Sequence, residues 1–85
     1  MSIIYYSDWL EKEIGEILES KGIEFIHESQ NNGSNLDFYL PKFDVYIEVK
    51  QYYSERIIKQ ISSRDNVILI QGKKSLEFIN QINKQ

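Results

Sequence analysis

Apolar positions along the chain recur in two rhythms, and each rhythm marks out elements. Leu10, Ile14, Ile17 and Leu18 fall at helical spacing. With Ser7 and Asp8 ahead of them and Lys21-Gly22 behind, they predict a capped amphipathic helix. Ile23 to Glu28 alternates and predicts a strand, and the polar run Ser29 to Asn35 predicts a loop. Residues 36–40 and 44–50 alternate more strongly and predict a β-hairpin. Ser54 opens a second helix that carries Ile57, Ile58 and Ile61 and ends near Asp65-Asn66. Val67-Ile68-Leu69-Ile70 is an unbroken apolar run, as expected of an interior strand covered on both faces. Ser75 then starts a last helix whose Leu76, Phe78, Ile79 and Ile82 can pack on the sheet.

The order αβββαβα defines an α/β domain with a sheet of about four strands flanked by helices. The helical crossover makes the third and fourth strands parallel, so the sheet is mixed. Eighty-five residues hold one domain, residues 1–85, with a modest core. No window approaches the roughly 18 apolar residues of a membrane span, and no basic stretch leads into an apolar run at the start. The expectation is a cytoplasmic protein without membrane association.

The hairpin pattern selects its own register. When paired residue numbers sum to 85, Leu40 faces Val45, Phe38 faces Ile47 and Leu36 faces Val49, giving a continuous apolar face. The loop is then Pro41 to Asp44. On the other face Tyr39 meets Tyr46 and Asp37 meets Glu48, with Lys50 two residues further on; a slip of one residue would mix the faces. Directly opposed Cβ atoms lie about 4.5 to 5.5 Å apart, so two carboxylates there repel. A divalent cation bridging them relieves the repulsion, and Lys50 is near enough to orient or deprotonate a water or to stabilise charge on a phosphate. Spacing alone fits equally well a solvated face on which Lys50 offsets two surface acids.

Composition narrows the metal. With no cysteine and one histidine, thiolate sites and a nitrogen-rich zinc site are poor fits, which leaves oxygen ligands and hence magnesium or manganese. The net charge of −3 argues mildly against a nucleic-acid partner. Its distribution softens that objection, because residues 1–48 hold ten acids and three bases whereas residues 49–74 hold six bases and two acids. On a helical wheel Glu11 lies at the edge of the apolar stripe, beside Leu18, and points along the helix–sheet boundary. Its alternative role is a favourable anion in the first helical turn.

These residues together resemble the PD-(D/E)XK nuclease superfamily, and within it the phage junction-resolving endonuclease I group. Leu10-Glu11 with Leu18-Glu19-Ser20-Lys21-Gly22-Ile23-Glu24-Phe25 is similar to that group's first helix and its exit. Asp37-Phe38-Tyr39-Leu40-Pro41 is similar to its DF-x-LP segment, and Ile47-Glu48-Val49-Lys50 to its E-x-K strand. The likeness runs over roughly residues 8–71. It implies a minimal restriction-endonuclease-like core and a magnesium-dependent DNA endonuclease, with manganese able to substitute and no organic cofactor. It further implies that Asp37 and Glu48 bind the metal, that Glu11 completes the site and that Lys50 is the catalytic lysine. A homodimer acting on branched or Holliday-junction DNA is the corresponding expectation; in the resolvase group exchanged strands let the helical glutamate come from either subunit, and both arrangements stay open for Glu11. Leu36 stands where the motif proline is usual and Gln51 where a glycine is usual; glutamine at that place, in other branches, touches the metal-bound water or substrate. A nuclease-like module that binds nucleic acid or protein without cutting is the alternative.

Arg56, Lys59, Arg64, Lys73 and Lys74 are candidate phosphate contacts, with ordinary surface charge as the plainer account of each. Tyr39, Tyr46, Tyr52 and Tyr53 could stack on a base or fill the gap between sheet and helix. His27 lacks ligand spacing and reads as structural, and Trp9 as packing at a helix end.

Overall fold

The structure is a computed structural model of the chain and describes residues 4–6, 8–30, 36–50, 55–62 and 64–82. Its elements run α1 (Trp9–Ser20), β1 (Ile26–His27), a 3-10 turn (Glu28–Gln30), β2 (Phe38–Leu40), β3 (Val45–Lys50), α2 (Glu55–Ile61), β4 (Val67–Gln71) and α3 (Gly72–Gln81). This is the αβββαβα order that the pattern predicts.

Helix α1 is bounded by chemistry at both ends. The Asp8 side chain, rather than Ser7, caps it by accepting the Glu11 backbone N–H at 2.8 Å; Ser7 lies outside the described residues. At the other end Ile23 N–H reaches the Leu18 carbonyl and Gly22 N–H that of Glu19. That paired closure needs a left-handed residue, and Gly22 supplies it at φ +70°. Gly15 lies inside the helix because Tyr6 crosses there; an added Cβ would stand 2.2 Å from the Tyr6 hydroxyl oxygen.

The four strands lie in the order β1-β2-β3-β4. Strands β2 and β3 pair antiparallel with Phe38 opposite Ile47, Tyr39 opposite Tyr46 and Leu40 opposite Val45, the register set by the alternation. Pro41 to Asp44 form the turn, which ends with Asp44 in the left-handed region at φ 53°, a conformation its short polar side chain tolerates. Strand β4 pairs parallel with β3. The core gathers Leu10, Ile14, Ile17 and Leu18 of α1, Phe38 and Leu40 of β2, Ile47 and Val49 of β3, Ile70 of β4 and Leu76 of α3. No helix among the described residues is long and apolar enough to cross a membrane.

Four local expectations are corrected. Only Ile26–His27 of the Ile23–Glu28 segment joins the sheet, because the chain turns into the 3-10 turn at Glu28. Strand β4 is an edge strand rather than an interior one, and Ile68 and Leu69 remain 44% and 36% exposed. Helix α3 begins at Gly72 instead of Ser75, since the Ser75 hydroxyl bonds back to the Gln71 carbonyl at 2.9 Å and caps nothing. On α3 only Leu76 and Ile79 turn inward, one helical turn apart, which leaves Phe78 exposed, and Ile82 lies past the helix end. Ile58 of α2 is likewise exposed.

Candidate active site

Alternation on the β2–β3 hairpin sends Asp37 and Glu48 to the face opposite Phe38, Ile47 and Val49. Asp37, one residue ahead of β2, uses its Oδ2 to accept the Val49 backbone N–H at 2.7 Å. Its side chain thereby extends the ladder past the last backbone pair. Glu48 opposite it is 1% exposed and Asp37 8%, so the reading of this face as solvated acids does not hold.

Neither Glu48 carboxylate oxygen receives a hydrogen bond from a fixed donor. The proton that can reach them is one carried by Asp37. Burial, and then that shared hydrogen bond, push the Asp37 carboxyl from its ordinary 3.8 up to about 8, against the Val49 N–H bond that favours the charged form. The charges of Glu48 and Glu11 add to the rise. Lys50 Nζ stands 3.9 Å from Glu48 Oε2, too far for a hydrogen bond and on a half-exposed side chain. Two acids are thus held together in a dry place with one loose cation beside them.

Glu11 reaches the same region from α1. The Asp8 cap fixes the helix phase, and Glu11 ends 2% exposed with its carboxylate hydrogen-bonded to His27 Nε2. His27 is fully buried. Its Nδ1 accepts the Ser29 backbone N–H at 3.1 Å and lies 2.7 Å from the Ser29 hydroxyl, which itself accepts the Tyr5 backbone N–H at 3.0 Å. With Nδ1 an acceptor, the ring proton is on Nε2 and is donated to Glu11. Tyr6 and Phe38 meet the imidazole edge-on, with ring centroids 5.0 and 5.1 Å away.

Sequence reasoning gave His27 a packing role and passed over Glu28, yet His27 holds Glu11 from the core face and Glu28 lies beside Asp37. The paired residue numbers of β1 and β2 sum to 65, so one step further Glu28 opposes Asp37, and its N–H bonds the Asp37 carbonyl at 3.0 Å. Burial, Asp37 and Glu11 raise the Glu28 carboxyl, while His27 and Lys50 lower it. The signal was the alternation of residues 23–28, which puts His27 and Glu28 on opposite faces. It became usable only once β1 was paired with β2.

The remaining candidates are not gathered here. Gln51, Tyr52 and Tyr53 lie outside the described residues. Arg56 and Lys59 are exposed on α2. Arg64 lays its guanidinium 4.3 Å over the Tyr46 ring, which in turn packs 4.7 Å from Tyr39, giving the tyrosines of this face a stacking partner within the chain. Lys73 lines a groove between α1 and α3 with Trp9 and Glu13, and Lys74 lines another with Ile68 and Phe78. Lys50 lies within ion-pair distance of Glu48.

Asp37 and Glu48 fit a hard divalent cation by donor type, by proximity and by the buried oxygens of Glu48 that no donor satisfies. Among the described residues no three His, Asp or Glu side chains converge as ligands. Magnesium nonetheless takes one or two carboxylates and completes its shell with waters and phosphate oxygens. Comparison with protein-family models, with curated proteins and with solved structures returns no match.

Proposed function

We propose that the chain is a metal-dependent deoxyribonuclease of the PD-(D/E)XK type, hydrolysing phosphodiester bonds with magnesium or manganese. The observation that supports this reading is the buried Glu48 carboxylate, which meets no fixed donor, set against Asp37 and beside Lys50. A buried pair of acids destabilises a fold unless something is gained from it. Asp37 and Glu48 are the residues that would hold the cation, with Glu11 behind them. When bound, a divalent cation neutralises the attacked phosphate and acidifies the attacking water. Lys50, half-exposed beside Glu48, neutralises charge as the water oxygen bonds phosphorus. The water gives up one proton, and the departing ester oxygen takes one up. Branched or junction DNA cut by a homodimer is the favoured refinement.

The test is incubation of purified protein with supercoiled, linear, single-stranded and junction DNA in magnesium and in manganese. Cutting is expected, together with a loss of at least about a hundredfold in Asp37→Ala and Lys50→Ala proteins that remain folded by circular dichroism. Intact DNA in every arm sinks the proposal.

A second reading, a nuclease-like module that binds without cutting, is favoured by the absence of a third converging ligand among the described residues. Metal titration separates the two. If saturating magnesium raises neither melting temperature nor DNA affinity, the binding module is the better account.

A further inference from the structure

We propose that His27 is a positioning residue, which fixes the Glu11 carboxylate so that α1 presents an oriented anion to the cation site. The inference rests on the nuclease reading above and deepens it. Packing alone does not call for a histidine here. A phenyl ring would fill the space between Tyr6 and Phe38 equally well. What packing leaves unexplained is the relay on the other side of the ring. Tyr5 N–H bonds the Ser29 hydroxyl, and the Ser29 N–H and hydroxyl both engage His27 Nδ1. That relay selects the tautomer with its proton on Nε2, aimed at Glu11. An Nε2–H held in one orientation fixes the direction of the carboxylate it meets. Among the described residues Glu11 does not converge with Asp37 and Glu48 as a third ligand, but its charge acts on Asp37. Outer hydrogen bonds that hold the groups around a metal site change its affinity by about 10 to 100-fold when they are lost.

The experiment measures manganese affinity by calorimetry without DNA, and single-turnover cleavage with kcat and KM separated, for the wild type and for H27F, H27Q and S29A, with melting temperatures alongside. H27F keeps the packing and loses the donor; it should bind manganese about 10 to 100-fold more weakly and cut correspondingly slower at unchanged DNA KM. H27Q, whose side-chain amide can donate toward Glu11, should recover most of that loss. S29A removes the hydroxyl from Nδ1, leaves the Ser29 N–H as the remaining hold on the tautomer, and should lose a few-fold. If the wild type cuts and folded H27F matches it in affinity and rate, the inference falls while the nuclease reading stands. If H27F does not fold, S29A decides, and wild-type behaviour there overturns the inference. If the wild type itself neither binds manganese nor cuts, the nuclease reading fails and the inference goes with it.

Discussion

Where α1 meets β1, β2 and β3, Glu11, His27, Asp37 and Glu48 are all buried, whereas at the other edge Ile68, Leu69, Phe78 and Ile82 are exposed. A chain arranging itself for stability alone would not bury Glu48, whose carboxylate oxygens meet no fixed donor, while leaving leucine and phenylalanine outside, because burying a poorly satisfied charge costs far more than exposing a leucine. The first region therefore carries a cost that its own packing does not return. The second holds the sheet together through few inward side chains, chiefly Ile70 and Leu76, and leaves the rest of its apolar surface outside. The difference locates the chemistry: the place where the fold breaks its own rule is the candidate site.

Substitutions that pull on each region separately sharpen the contrast. The largest change in stability should come from the exposed side's one deeply buried strand residue. Ile70 is 2% exposed, and Ile70→Ala should lose about 2 to 5 kcal/mol in urea unfolding; a loss below 1 kcal/mol would mean that β4 is not anchored as described. At the charged end the sign should invert. Asp37→Asn keeps an acceptor for the Val49 N–H and supplies Glu48 with a permanent donor. It should stabilise the chain by about 1 to 3 kcal/mol in chelator at pH 8 while abolishing cutting. Destabilisation would show that the carboxylate pair was not strained.

The pH dependence follows from the same pair. Asp37 holds its proton up to about pH 8 in the fold but releases it near its ordinary 3.8 when unfolded. The stabilising contribution is therefore complete below about pH 4 and is lost as pH rises through 8, with a slope of at most about 1.4 kcal/mol per pH unit. Glu28, also raised, acts in the same direction. Melting temperature in chelator should fall from pH 5 to pH 8, and Asp37→Asn should flatten that profile; a wild-type curve that rises instead contradicts the protonated pair. The smallest effect belongs to the exposed edge, where Leu69→Lys should change stability by no more than about 0.5 kcal/mol. A large loss there would indicate that something covers β4.

Much of this was legible from residue order. The register of β2 and β3 could be read because a slip of one residue mixes Phe38 and Ile47 with Asp37 and Glu48, so that only one pairing keeps an apolar face. Gly22 marked the exit of α1 because its φ of +70° is open to glycine at little cost. Glu11 could be placed at the helix–sheet boundary from the wheel alone. What could not be read was depth. Alternation tells which face a side chain takes, but the same pattern serves a wet face and a dry one. For that reason Asp37 and Glu48 were equally readable as solvated, and Ile68 and Leu69 as covered.

Residue order thus determined the elements, the hairpin pairing and the grouping of Asp37, Glu48 and Lys50 on one face, because these depend on local periods of 2 and 3.6 residues and on turn chemistry. Tertiary structure alone decided that β4 stands at the edge, that His27 closes on Glu11, that Glu28 falls into line with Asp37, and that the carboxylate pair is dry. Each of those depends on which distant segment arrives to exclude water or supply a partner, and no local pattern encodes that arrival.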